Sequence, residues 1–187
     1  MDAVNKLQCN NCVLKLVVTE KNTLFNTRKN NYTEERYKRG FKVTISSARR
    51  NEFSQLTYLK SLNYLENILE HEKCIDEGYN EMLFFNTEDK LSEGSVSNVF
   101  FTKNEKIYTP SKKCGLLEGT VRKFIINNFD VTEGEFSKED LMSADSVFLT
   151  NSIMGIMKVS SIYDRSFNEC SIIKKIEKVY QEQLKKH

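Results

Sequence analysis

The chain has 187 residues, 39% of them hydrophobic and 29% charged, with a formal net charge of +2. That length carries one sizeable domain, and scattered basic residues at so small a net charge argue against nucleic-acid binding, which needs a basic face. No apolar run approaches the ~20 residues of a membrane span, and Met1 to Asn11 lack the apolar stretch of a signal peptide, so a cytoplasmic protein without membrane partners is expected.

Leu14 to Thr19 alternates and is rich in β-branched residues, which predicts a strand. Glu20 to Arg39 is polar without clear periodicity and reads as an exposed loop with one helical turn near Thr33 to Arg36. Phe41 to Ile45 predicts a second strand. Beyond Lys60, the apolar positions Leu62, Leu65, Ile68 and Leu69 recur at helical spacing and predict a helix that stops before Gly78. Three short strands follow, Met82 to Phe85, Ser97 to Thr102 and Lys106 to Tyr108, joined by the polar connectors Asn86 to Lys90 and Lys103 to Glu105. Gly119 to Asn128 predicts a helix, and Val131 to Phe136 a strand. Ser137-Lys138-Glu139-Asp140 has the N-cap serine and first-turn acids of a helix start. Val147 to Thr150 and Ile156 to Ile162 predict strands, and Ser171 to Lys186 an amphipathic helix. Helices and hairpins so intermixed predict one mixed α/β (α+β) domain over residues 1–187, around a largely antiparallel or mixed sheet.

The five cysteines (Cys9, Cys12, Cys74, Cys114, Cys170) are odd in number and widely spread, so free thiols are expected in a reducing compartment. Cys9-Asn10-Asn11-Cys12 has the spacing of half a zinc site or a redox pair. No second such pair exists, and the histidines are His71 and His187. Two incidental thiols, and no metal, are the expectation.

The chemistry-bearing candidates are Lys60 and Glu93. An amine that can form an imine, and a carboxylate in a turn that can hold a pyridine nitrogen protonated, are the two groups a pyridoxal phosphate enzyme needs most. Lysines are frequent in this chain, so the flanking sequence decides. Lys60-Ser61-Leu62-Asn63-Tyr64-Leu65 is followed by Glu93-Gly94-Ser95-Val96-Ser97-Asn98-Val99-Phe100. Then come Tyr108-Thr109-Pro110, Gly115-Leu116-Leu117-Glu118-Gly119-Thr120-Val121-Arg122 and Ala144-Asp145-Ser146-Val147-Phe148-Leu149-Thr150-Asn151-Ser152. In this order, the five segments resemble the class IV aminotransferases, which include branched-chain and D-amino acid aminotransferases and 4-amino-4-deoxychorismate lyase.

The resemblance implies the large pyridoxal phosphate-binding domain of the fold-type IV enzymes. It makes Lys60 the Schiff-base lysine and the proton shuttle, with Leu56, Leu59 and Leu62 able to desolvate its amine. Glu93 becomes the partner of the pyridine nitrogen. Gly119, Thr120 and Val121 open a helix whose free N–H groups would bind the cofactor phosphate, with Glu118 adding an unfavourable charge nearby. Ser152 would supply a hydroxyl to the same phosphate. Tyr64 would lie near the ring 3-hydroxyl, or would be an ordinary aromatic of its helix. Ile153 to Met157 would form part of the substrate wall.

The resemblance also implies a smaller N-terminal domain, for which Met1 to Val13 are too short. The chain is expected to be the cofactor-binding domain alone, as a fragment, a split half or a non-catalytic module, and to bind the cofactor weakly by itself. A homodimer, or association with the missing small domain, is implied. Thr150 to Met157 looks more like the lyases than the transaminases. That points to release of pyruvate to give 4-aminobenzoate, a folate precursor, with amino transfer to a 2-oxo acid as the rival.

Overall fold

The computed structural model describes residues 12–186. The chain divides into two compact units, residues 1–36 and 37–187.

The first unit contains an antiparallel hairpin. Strand β1 (Cys12–Val18) pairs with β2 (Thr23–Lys29) from Cys12↔Lys29 to Val18↔Thr23. Thr19 closes the turn, accepting the Asn22 N–H on Oγ1 at 3.0 Å. The strand β2 corrects the expectation of a loop over Glu20 to Arg39. Thr23, Leu24, Phe25 and Thr27 carry β propensity, but neither face of the hairpin is buried, so no in-out alternation marks it. A short helix α1 (Glu34–Arg39) follows. Cys12 is disulfide-bonded, which corrects the expectation of a free thiol there, while Cys74, Cys114 and Cys170 are free. Cys9 lies outside the described residues.

The second unit is built on a nine-stranded mixed sheet. Its strands are β3 (Phe41–Arg50), β4 (Glu81–Asn86), β5 (Leu91–Gly94), β6 (Asn98–Lys103), β7 (Lys106–Pro110), β8 (Val131–Gly134), β9 (Ser146–Asn151), β10 (Gly155–Ile162) and β11 (Arg165–Ser166). The order is β5-β4-β3-β10-β9-β6-β7-β8, with β11 on β10. Pairings β3–β10, β3–β4 and β7–β8 are parallel, and the others are antiparallel. Glu81-Met-Leu-Phe-Phe-Asn86 is buried along its whole length, as a strand covered on both faces must be. Helices α2 (Leu65–Asp76), α3 (Thr120–Asn128), α4 (Lys138–Met142) and α5 (Ser171–Leu184) complete the unit.

Phe100, Phe148 and Ile156 of the sheet pack with Val121 and Ile125 of α3 and Ile173 and Ile176 of α5. Phe100 and Phe148 are cross-strand partners and stack at 5.0 Å. Ser137 caps α4 as its sequence predicts, accepting the Asp140 N–H at 3.1 Å while the Asp140 carboxylate accepts the Ser137 N–H at 2.9 Å.

The helix expected after Lys60 forms, but its apolar positions are not its buried ones. It starts at Leu65, so Leu62 lies outside it and is 100% exposed. Leu65, Ile68 and Leu69 are also exposed, and the residues it buries are Asn67 and Cys74. Its inward face is polar because it serves backbone and charged groups of the site described next. Gly78, at φ +85°, stops the chain just past the helix.

Candidate active site

A cavity of about 400 Å³ opens where the ends of β3, β5 and β9 meet the start of β6. Lys60, Tyr64, Glu93, Leu117 and Thr150 line it. Three of the expected site residues therefore share one hollow, although they come from a loop, a helix start and a strand end. Lys60 Nζ stands 5.3 Å from the Tyr64 ring centre. Leu56 and Leu59 line the same cavity as Lys60 but are more than half exposed, and Leu62 is fully exposed.

Glu93 is the penultimate residue of β5 rather than part of the following turn. Its carboxylate is buried. Oε2 accepts the Leu117 N–H at 3.0 Å, and Oε1 lies 3.3 Å from Arg50 Nη2. Burial pushes the Glu93 carboxyl up to about 7, against the Arg50 charge, the Leu117 N–H and Lys60, which favour the anion. A carboxylate this poorly solvated gains from a cationic partner inside the cavity.

Arg50 was not singled out from the sequence. It is the last residue of β3, and its side chain is 7% exposed. Nη1 bonds Glu66 at 3.0 Å and Asn67 at 3.2 Å, and the guanidinium lies 4.0 Å from the Phe84 ring centre. In the sequence it reads as the second of two adjacent arginines. No sequence signal marks it, because the expected strand stops at Ile45 and only the structure carries β3 on to Arg50.

Asn98 was also missed. Its side chain donates to the Leu117 carbonyl at 2.7 Å and accepts the Gly119 N–H at 3.2 Å. Leu117 thus bonds Glu93 through its N–H and Asn98 through its carbonyl, tying the carboxylate to the start of α3. A Cβ at Gly119 would collide with Asn98 Oδ1, so the close approach requires glycine.

Thr120 and Val121 are the first two residues of α3, where N–H groups have no intrahelical partner. Val121 points its side chain into the core and Thr120 is exposed. Glu118 is neutralised. Lys112 lies 3.1 Å and Arg122 3.9 Å away, and Lys112 holds the Glu118 carboxyl below its usual value. Ser152 is exposed beyond the end of β9 and, like Gly119, Thr120 and Val121, does not line the cavity. Thr150, two residues earlier, does, and among the described residues its Oγ1 is buried without a hydrogen-bond partner. The cavity is lined by a lysine amine, a buried carboxylate and the Tyr64 ring, whose hydroxyl donates to the Ser95 carbonyl at 2.8 Å. An amine and a carboxylate sharing an aromatic-walled cavity fit the ring of pyridoxal phosphate. No group of three or more metal-ligating side chains occurs among the described residues.

The fold and this cavity define the protein's class. The profile of the aminotransferase class IV family matches residues 1–162, and the chain belongs to that family. It is 33% identical over 132 residues to aminodeoxychorismate lyase of Bacillus subtilis, covering 68% of this chain and 45% of that one. It is 26% identical over 157 residues to the branched-chain-amino-acid aminotransferase of Pseudomonas aeruginosa, covering 79% and 51%. A solved Legionella pneumophila protein, provisionally named 4-amino-4-deoxychorismate lyase, superposes with TM-score 0.78 at 31% identity, covering 86% of this chain and 60% of that one. The PLP-bound branched-chain amino acid aminotransferase of Thermobaculum terrenum superposes with TM-score 0.73 at 25% identity, covering 86% and 55%. The chain thus spans about half the length of the two curated relatives.

Proposed function

We propose that this chain is the cofactor-binding half of a pyridoxal phosphate enzyme whose reaction is that of a 4-amino-4-deoxychorismate lyase. The observation that carries the reading is the convergence of Lys60, Tyr64 and Glu93 on one cavity. When bound, the cofactor supplies an electron-accepting ring beside the substrate amine. Glu93 would keep the ring nitrogen protonated through a charge-assisted hydrogen bond. Tyr64, its hydroxyl donating to the Ser95 carbonyl, would flank the ring on its hydroxyl side. The N–H groups of Thr120 and Val121 at the helix start behind Gly119 would bind the phosphate, with Ser152 adding a hydroxyl, although all four lie outside the cavity lining. Lys60 removes the proton from the substrate carbon that bears the amine. Loss of pyruvate then leaves the aromatic 4-aminobenzoate.

The name of the Bacillus relative and the segment Thr150 to Met157 support the lyase. Lys60-Ser61-Leu62-Asn63 and the two branched-chain relatives favour the second reading, amino transfer to a 2-oxo acid. The exposed Leu56, Leu59, Leu62 and Leu65 beside the cavity support a cover supplied by a further domain or a second copy, and weak cofactor binding by this chain alone. Two incubations test the assignment, one with aminodeoxychorismate and one with amino donors plus 2-oxoglutarate, each with added pyridoxal phosphate. The lyase reading predicts 4-aminobenzoate and pyruvate in the first. Product in the second alone replaces it with the transaminase.

A further inference from the structure

One face of α2 converges on a single residue outside that helix. Tyr64 Oη donates to the Ser95 carbonyl at 2.8 Å, and Asn67 Nδ2 donates to the same oxygen at 2.7 Å. His71 Nδ1 lies 2.8 Å from Ser95 Oγ. Positions 64, 67 and 71 follow helical spacing, so all three reach the same side. From the opposite side, Glu81 at the start of β4 accepts the Ser95 N–H at 3.0 Å, the Ser95 hydroxyl, and the Ser97 hydroxyl at 2.8 Å. Glu81 is 1% exposed, and His71 Nδ1 is 3.7 Å from its Oε1.

The proton count fixes the direction of these bonds. Ser95 has one hydroxyl proton, and it goes to the Glu81 carboxylate. His71 must then donate Nδ1–H to Ser95 Oγ. Burial pushes the Glu81 carboxyl up, but the nearby His71 ring and the bonds from Ser95, Ser97 and the Met82 N–H outweigh it and hold the group below its usual value. The Glu81 carboxylate, 3.7 Å away, raises the His71 imidazole above its ordinary value, against burial, and Glu72 on the same helix adds to the rise. The Glu81 charge also reaches Tyr64, Cys74 and Glu93, while Arg50 of β3 and Lys60 act on Glu93 with opposite sign.

We propose that His71 is a positioning residue for the cofactor-nitrogen end of the site: it pins the Ser95 turn and, when protonated, cancels the Glu81 charge beside Glu93. The inference rests on the cofactor reading above, in which the Glu93 anion is the working form. Neutral His71 keeps the hydrogen bond but leaves Glu81 uncompensated. The two contributions are therefore separable by substitution. His71→Asn retains an N–H near the Nδ1 position without the charge, whereas His71→Ala removes both.

The test uses the full chain and two readouts. Proton NMR follows the imidazoles of His71 and His187, the only two histidines of the chain. His71 is expected to titrate above 6.5 and to fall in Glu81→Gln; a midpoint at or below 6.5 that ignores Glu81→Gln overturns the inference. Pyridoxal phosphate affinity is then measured by absorbance from pH 5.5 to 9. Binding is expected to strengthen as Glu93 ionises, with the midpoint moved to higher pH in His71→Asn. Affinity at the alkaline limit is expected to be kept in His71→Asn and to fall about tenfold in His71→Ala. A midpoint unmoved by His71→Asn overturns the inference alone. No binding by the unsubstituted chain at any pH overturns the cofactor reading and the inference with it.

Discussion

Arg50 Nη2 lies 3.3 Å from Glu93 Oε1, and both side chains are buried in the cavity wall. The pair holds a carboxylate in place that burial alone would neutralise. Arg50→Met removes the compensating charge and leaves Glu93, Glu66 and Asn67 without their shared donor. Breaking one side of a buried pair costs about 3 kcal/mol, so urea unfolding should show a loss of that size. Pyridoxal phosphate affinity at neutral pH should fall with it. A change under about 0.5 kcal/mol, the range of an ordinary surface substitution, would contradict the role given to Arg50.

Glu93 titrates near 7 in the fold and at an ordinary 4.5 when unfolded, so folding is favoured with its proton on. That contribution is complete below pH 4.5 and is lost as pH rises through about 7. Glu81 has the opposite sign, because its folded carboxyl is held low: its contribution is present above 4.5 and disappears in more acid solution. The cofactor-free chain should therefore lose up to about 3 kcal/mol between pH 5 and 8 through Glu93. His71 adds a loss of the same sign above 6.5, so Glu93→Gln, compared with the unsubstituted chain across this range, isolates the carboxylate. Equal slopes in both proteins would show that Glu93 ionises without a penalty.

Gly119 and Asn98 meet so closely that Gly119→Ala must displace the amide bridging Leu117 and Gly119. Asn98 is buried and pinned at both ends of its amide, so the shift moves the helix start. The expected cost is about 1–3 kcal/mol of stability. The chain should also lose preference for pyridoxal phosphate over pyridoxal, since the phosphate end is the part disturbed. Paired titrations with the two ligands measure this. An unchanged ratio would place the phosphate elsewhere.

Thr150 belongs to the cavity wall, and among the described residues its Oγ1 is buried with no protein partner. Thr150→Val keeps the shape and removes the orphan. The ligand-free chain should gain roughly 1 kcal/mol, and cofactor affinity should fall. Thermal unfolding with and without pyridoxal phosphate separates the two effects. Higher stability with undiminished affinity would leave Thr150 without a part in binding.

The parts of this fold legible in the sequence are those whose local chemistry and packing agree. The capping box at Ser137 and Asp140, the apolar strands around Phe84, Phe100 and Phe148, and the amphipathic α5 all show that agreement. Lys60, Tyr64 and Glu93 were legible because the order of segments marks them, and they do share a cavity. What was hidden has a common cause: position relative to the sheet, not residue type, decides the role. Arg50 looks like a surface charge until β3 is seen to end at the cavity. In α2, Leu65, Ile68 and Leu69 suggested the buried face, whereas Asn67 and His71 turn toward Ser95. Short β5 carries too few residues for a period to show, and β2 has no buried face to reveal it.

The most direct test of the account is borohydride reduction of the chain with pyridoxal phosphate, followed by peptide mass mapping. The account predicts a pyridoxyl adduct on Lys60, lost in Lys60→Ala. An adduct spread over the surface lysines, or one centred on another lysine and unaffected by Lys60→Ala, would contradict it.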